Sequence, residues 1–282
     1  MRIARALVTG TWIAAASAFA AELGTEDTLA AERKPIFSGF LTCEVSSAYL
    51  GSSGDLADIY PVIWQELDWF ARLGRFGYLY GYAWIGSSLH DHQHDIHREL
   101  FHEFEGVVQY GYDVDLPCDM KLVSLVGALW DPLIGYPDES NAWWGPSVEQ
   151  SLENPIVTPY YNALWTIDPE IIGRVRLGLR RLIPLSEHFS VKPCVETIWY
   201  DGRRYRFAFG EEPRQPFLGG AFATGLADLR LNWHLTPQLT LYGAVRQYLV
   251  LGGQARAAVR ARDDYWARTE LTIGAMGVEY SF

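Results

Sequence analysis

The chain has 282 residues, of which 49% are hydrophobic, 14% aromatic and 20% charged, a balance that excludes a disordered protein. Its 23 Lys and Arg against 34 Asp and Glu give a formal net charge of −11, so no basic excess exists to displace phosphate counterions, and nucleic acid is excluded as a partner. After the N-terminus no apolar run is long enough to cross a bilayer as a helix, which excludes a helical membrane bundle.

Arg2 and Arg5 precede an apolar stretch from Ala6 to Ala20 that ends in Ala18-Phe19-Ala20, the three parts of a secretory signal peptide in order. Cleavage is expected after Ala20. It removes two Arg and no acid, leaving 21 basic against 34 acidic residues and a net charge of −13. Residues 21–35 are polar without an apolar period and read as a leader, and 36–282 read as one domain. Cys43, Cys118 and Cys194 are odd in number and widely spaced, with no C-x-x-C, so neither a disulfide framework nor a zinc site is expected.

From Ile36 onward, stretches of about ten residues alternate in side-chain character with period two, the mark of strands with two different faces. Expected strands are Phe37 to Tyr49, Val62 to Arg72, Phe76 to Ser87, Leu100 to Tyr112, Lys121 to Trp130 and a short Ser147 to Leu152. They continue as Val157 to Ile167, Arg174 to Ile183, Phe189 to Trp199, Ala221 to Trp233, Leu239 to Val250 and Ala267 to Phe282. Short turns at Gly74-Arg75, Asp115-Leu116-Pro117, Glu153-Asn154-Pro155, Pro184 to His188 and His234 to Gln238 alternate with longer connections. About twelve strands at near 20 residues per strand and connection suit membrane-spanning strands of about 9 to 11 residues. No water satisfies a sheet edge in hydrocarbon, so such strands must close into a barrel.

In the last strand Met276, Val278, Tyr280 and Phe282 share one face, Gly277, Glu279 and Ser281 the other, and the chain ends on a free aromatic. This resembles the C-terminal strand of bacterial outer-membrane β-barrels, whose terminal Phe is read by the barrel assembly machinery. The resemblance implies an all-β, closed antiparallel transmembrane barrel of about twelve strands. It also implies outer-membrane lipid and the assembly machinery as partners, and Tyr280 with Phe282 as the assembly signal, while an even strand count with the long connections outside the cell places both termini on the periplasmic side. The whole chain resembles porin-like barrels of modest size. Homo-oligomers are common in that class, although no interface is readable in this sequence. Tyr78, Tyr80, Tyr82, Trp84, Trp143, Trp144, Tyr160, Tyr161, Trp165, Trp199, Tyr200, Trp233 and Trp266 read as interfacial girdles, with some of them filling the lumen.

If the apolar face of each strand meets lipid, the other face lines the lumen. Glu44, Glu66, Asp68, Glu103 and Glu105 then form an acidic early wall, and Arg174, Arg176, Arg180, Lys192, Arg230 and Arg246 a basic late wall. Closure places the walls opposite each other, either as a transverse field at a constriction or as an ion-pair network that fills the barrel.

Five of the seven His fall in His90, His92, His94, His97 and the nearby His102, interleaved with Asp91 and Asp95. His90, His92, His94 and His97 suit Zn²⁺, Cu²⁺ or Ni²⁺, and equally suit an exposed loop that charges near pH 6. No G-x-S-x-G, H-E-x-x-H, P-loop or G-x-G-x-x-G occurs, so no cofactor and no enzyme are expected. Outer-membrane phospholipases pair a His with a Ser, for which the nearest equivalent is His90 with Ser87 or Ser88, without the surrounding motif. The expected function is porin-like passive passage of small polar solutes or ions. The alternatives are a non-conducting structural or adhesion barrel acting through its outer loops, and a lipid-modifying hydrolase.

Overall fold

A computed structural model describes residues 36–50, 56–58, 60–89, 101–131, 143–167, 172–202, 220–260 and 268–282. The expected signal peptide (1–20) and leader (21–35) lie outside these residues, as does the span containing His90, His92, His94 and His97.

Among the described residues twelve long strands follow one another as a meander. They are β1 Phe37–Ser46, β2 Val62–Arg72, β3 Tyr78–Ser88, β4 Phe101–Leu116, β5 Met120–Asp131 and β6 Trp143–Glu153. Next come β7 Thr158–Thr166, β8 Ile172–Arg180, β9 Phe189–Tyr200, β10 Ala221–His234, β11 Leu239–Val250 and β12 Glu270–Ser281. Every strand pairs antiparallel with its neighbour in sequence, and β12 pairs with β1 (Leu41 opposite Tyr280), so the sheet closes with no free edge. The seam is fastened where Gly39 N–H donates to Phe282 O at 3.0 Å, Phe282 N–H donates to Gly39 O at 3.1 Å, and the Phe37 and Phe282 rings lie 5.9 Å apart.

Period-two alternation decides which face meets lipid. Val108, Val126, Trp130, Val195, Val245 and Met276 stand exposed on the outside, while Thr42, Glu44, Glu105, Gln109 and Arg174 are buried inside. Several boundaries differ from expectation. β4 continues through Leu116, and the turn falls at Pro117 to Asp119, where Cys118 and Asp119 both take left-handed φ values of 64° and 56°. Positive φ in a tight hairpin matches the strand twist, so the ladder runs to Leu116 opposite Met120. β6 is no short strand, because Trp143 and Trp144 extend it by pairing with Asp131 and Trp130. β8 stops at Arg180, and Ile183 and Pro184 pair separately with Val191 and Ser190.

The connection after β11, expected only to be long, contains a helix, Gly253–Arg260. Its Ala255 and Val259 pack on Ile198, Tyr200, Tyr248 and Val250, forming an apolar cluster at the long-connection end of the barrel. A bulge assists: the pairing of β9 with β10 skips Ala223, and both Ala223 and Thr224 are buried.

Candidate functional site in the barrel interior

Two cavities occupy the barrel. The smaller, about 430 Å³, lies toward the long connections and is walled by residues such as Trp64, Glu66, Tyr82, Arg176 and Arg246. The larger, about 1020 Å³, lies toward the short turns and is walled by residues such as Asp68, Phe70, Arg72, Lys121 and Lys192. Among the described residues, three line both chambers, Tyr80 from β3, Glu149 from β6 and Arg180 from β8, and they form the neck between them.

Most interior cations are committed to acids. Arg246 donates to both Glu44 oxygens at 2.5 and 2.7 Å and to Asp228 at 2.9 Å. Glu44, 1% exposed, also accepts from Trp64 Nε1 at 2.7 Å and the Tyr242 hydroxyl at 3.0 Å. Arg174 on β8 lies 3.7 Å from Glu105 on β4, an ion pair between separated strands. Tyr82 donates to the other Glu105 oxygen at 2.5 Å. Arg176 pairs with Glu196 at 3.6 Å, and Arg230 with Glu279 at 2.9 Å while its guanidinium lies 3.6 Å from the centre of the Tyr242 ring. These pairs leave little net field where they sit, and such buried pairs order the barrel as much as they stabilise it.

Arg180 and Lys192 differ. Among the described residues neither has an ion pair with a carboxylate, and both line the larger chamber. Arg180 lies 4.9 Å from the centre of the Tyr160 ring. The Tyr160 ring in turn lies over Gly178, where any Cβ would collide with it, so the glycine in Arg174-Val175-Arg176-Leu177-Gly178-Leu179-Arg180 is what lets the ring lie flat. On the other side Asp68 accepts from Tyr80 at 2.6 Å, and Glu149 accepts from Asn162 Nδ2 at 3.4 Å. Among the described residues, charges without an ion pair therefore lie around the neck: Glu149 and Arg180 line both chambers, Asp68 and Lys192 the larger one and Glu66 the smaller.

Glu44, Glu66, Asp68, Glu105, Arg174, Arg176, Arg180, Lys192, Arg230 and Arg246 all project into the interior. Glu103 lies in β4 opposite Gly86, its side chain outside the described portion. The described residues contain no cluster of His, Cys, Asp and Glu that would hold a metal. Several residues read as girdle are interior: Tyr80, Tyr82, Trp84 and Tyr160 wall the smaller chamber, and Tyr200 is wholly buried. Tyr78, Tyr80, Tyr82 and Trp84 repeat at period two, which assigns all four to one face, and that face is the polar one. Trp130, Trp144, Trp165 and Trp233 do face outward.

Sequence reasoning missed Glu149, which shapes the neck, and also a Ser–His pair. Ser190 Oγ lies 2.9 Å from His234 Nε2 and accepts from Asn232 at 3.1 Å, and His234 Nδ1 lies 3.0 Å from Thr240 Oγ1. The hairpin register that sets Ser190 opposite Asn232 would have revealed it. Ser190 is only 3% exposed and its hydroxyl is already engaged by two neighbours, the arrangement of a structural belt at the foot of the barrel.

No protein-family model matches the chain, and no curated protein matches it. Among solved structures it is similar to an outer-membrane channel from Pseudomonas putida F1, at 12% identity, covering 92% of this chain and 100% of that one, with a TM-score of 0.54. It is also similar to outer membrane phospholipase A from Escherichia coli (12% identity, 86% and 92% covered, TM-score 0.47). A third similar structure is the NanC porin (10% identity, 86% and 98% covered, TM-score 0.46). At such identities the likeness is one of fold. The closed, outwardly apolar, twelve-stranded barrel is of the outer-membrane β-barrel class.

Proposed function

We propose that the protein is a narrow outer-membrane channel for passive passage of small polar solutes or ions. The observation that carries this reading is the pair of chambers, about 430 and 1020 Å³, set end to end inside a closed barrel and meeting at Tyr80, Glu149 and Arg180. Uncancelled acids and cations at the neck supply a transverse field, which orients a charged solute as it passes. Within this reading Glu44, Glu66, Asp68, Glu105, Arg174, Arg176, Arg180, Lys192, Arg230 and Arg246 line the path, with Arg180 and Lys192 setting ion preference and the paired cations holding the wall in shape. Export through the N-terminal signal peptide, periplasmic termini, and recognition of Tyr280 and Phe282 by the barrel assembly machinery belong to the same proposal. It is tested by single-channel recording of refolded protein in a planar bilayer under a salt gradient. Discrete steps whose ion preference changes on Arg180→Gln are the expected result. A silent bilayer from protein that migrates as a folded barrel refutes it.

A non-conducting barrel is the second reading. It is favoured by the Arg174–Glu105 pair between β8 and β4 and by the helix Gly253–Arg260 packed on the apolar cluster at the long-connection end.

A further inference from the structure

The three residues that separate the chambers differ in chemistry: Tyr80 offers an aromatic ring, Glu149 a carboxylate and Arg180 a guanidinium, from three different strands. The aromatic element is part of a track. Phe40 meets Phe70 edge-on at 6.4 Å between centroids, Phe70 lies 4.9 Å from Tyr80, and Tyr80 lies 6.1 Å from Tyr82. Rings therefore run without a break from the larger chamber, past the neck, into the smaller one. Their hydroxyls are held by acids, Tyr80 by Asp68 and Tyr82 by Glu105, which fixes the ring planes.

The cationic element is equally prepared. Arg180 is steadied from behind by the Tyr160 ring and has no ion pair with a carboxylate among the described residues, and Lys192 reaches the same chamber two positions along β9 from Cys194, the residue opposite Arg180. The other interior arginines of known pairing spend their charge on Glu44, Glu105, Glu196 and Glu279. The anionic element, Glu149, has an amide neighbour in Asn162 and no ion pair among the described residues.

A ring, a fixed negative charge and a fixed positive charge around one opening are the complement of a molecule that carries a ring, an ammonium and a carboxylate. We propose, building on the channel reading, that the neck is a recognition site for aromatic α-amino acids. The side-chain ring stacks on Tyr80 within the track, the carboxylate is held by Arg180 with Lys192 beside it, and the ammonium is held by Glu149. The smaller chamber falls within the volume range of small-ligand sites, roughly 300 to 1,000 Å³, and the larger lies at its upper edge, so the solute has room to enter and leave on either side. Opposite charges on the two walls of the neck disfavour a solute with a single charge, since one wall then repels it.

The test uses the full-length refolded protein and four probes: phenylalanine, alanine (no ring), 3-phenylpropionate (no ammonium) and phenethylamine (no carboxylate). Block of single-channel current is measured in bilayers, and heat of binding is measured separately on the folded protein in detergent micelles. Phenylalanine is expected to half-block at a concentration about tenfold or more below each of the other three, and Arg180→Gln or Glu149→Gln is expected to remove that advantage. Arg180→Lys, which keeps the charge, guards against a folding defect, as does heat-modifiable migration of every variant. Conducting channels on which all four probes act equally overturn the inference and leave the channel standing. A silent bilayer with calorimetric preference for phenylalanine refutes passage and supports the site, and a silent bilayer with no heat refutes both.

Discussion

Replacing Glu44 by Gln should destabilise the barrel by breaking a buried ion pair. The Glu44 carboxylate is 1% exposed and takes four hydrogen bonds, two from Arg246 and one each from Trp64 and Tyr242. Glutamine keeps the shape but turns an amide toward the guanidinium, leaving a buried cation short of a partner. Removing one member of a buried pair costs roughly 3 to 5 kcal/mol. Arg246 is 17% exposed and retains Asp228 at 2.9 Å, so the low end applies, about 3 kcal/mol, or on the order of a hundredfold in the unfolding equilibrium. Urea titration of protein folded into lipid vesicles, followed by tryptophan fluorescence, reads this directly. The double variant with Arg246→Gln should lose less than the sum of the singles, with a coupling of about 1 kcal/mol or more. A single-variant loss below about 1 kcal/mol, or additive losses, would refute the argument that this pair is desolvated and mutually dependent.

Arg174→Gln and Arg180→Gln should separate stability from selectivity: the first removes the partner of buried Glu105 and lowers the urea midpoint, and the second leaves that midpoint nearly unchanged while shifting reversal potential in a salt gradient. Gly178→Val places a branched side chain where the Tyr160 ring lies, so the ring must leave, Arg180 loses its support, and folded yield on heat-modifiable gels should fall. Ala255→Asp puts a charge into the cluster of Tyr200, Tyr248 and Val250, and proteolysis at the helix should quicken even if the strands remain folded, by a loss of about 2 kcal/mol or more. Deleting Phe282 removes both of its hydrogen bonds with Gly39 and its ring from Phe37, and the amount of folded barrel recovered from outer membranes should drop.

Strand number and the sidedness of each strand were legible because both depend on period-two alternation, a local property: Glu44, Glu66 and Arg174 follow from parity alone. The neck was not legible. It depends on which interior side chains come level across the barrel, and Tyr80, Glu149 and Arg180 are brought level by the staggers of β3, β6 and β8, which no single strand records. The separation of committed from uncommitted cations was hidden for the same reason, since Arg174 and Arg180 look alike in sequence while Glu105 pairs with the first and the Tyr160 ring lies beside the second. The helix Gly253–Arg260 was missed because its apolar face amounts to Ala255 and Val259 within a polar segment. The tyrosines of β3 read as a girdle by composition, whereas their spacing already assigned them to the inner face.

The seam between the first and last strands is made of the same backbone pairing as every other junction, and Gly39 and Phe282 exchange both of their hydrogen bonds across it. The barrel is thus a ring whose opening point is incidental to its stability. A circular permutant, with the residue 36 and 282 ends linked and the chain opened at the tight turn between Leu116 and Met120, keeps every strand neighbour it had. Such a ring would refold in vitro with the same ladder while no longer presenting an aromatic carboxyl terminus, so its yield in cells tests the proposed recruitment of the assembly machinery apart from what holds the finished barrel together.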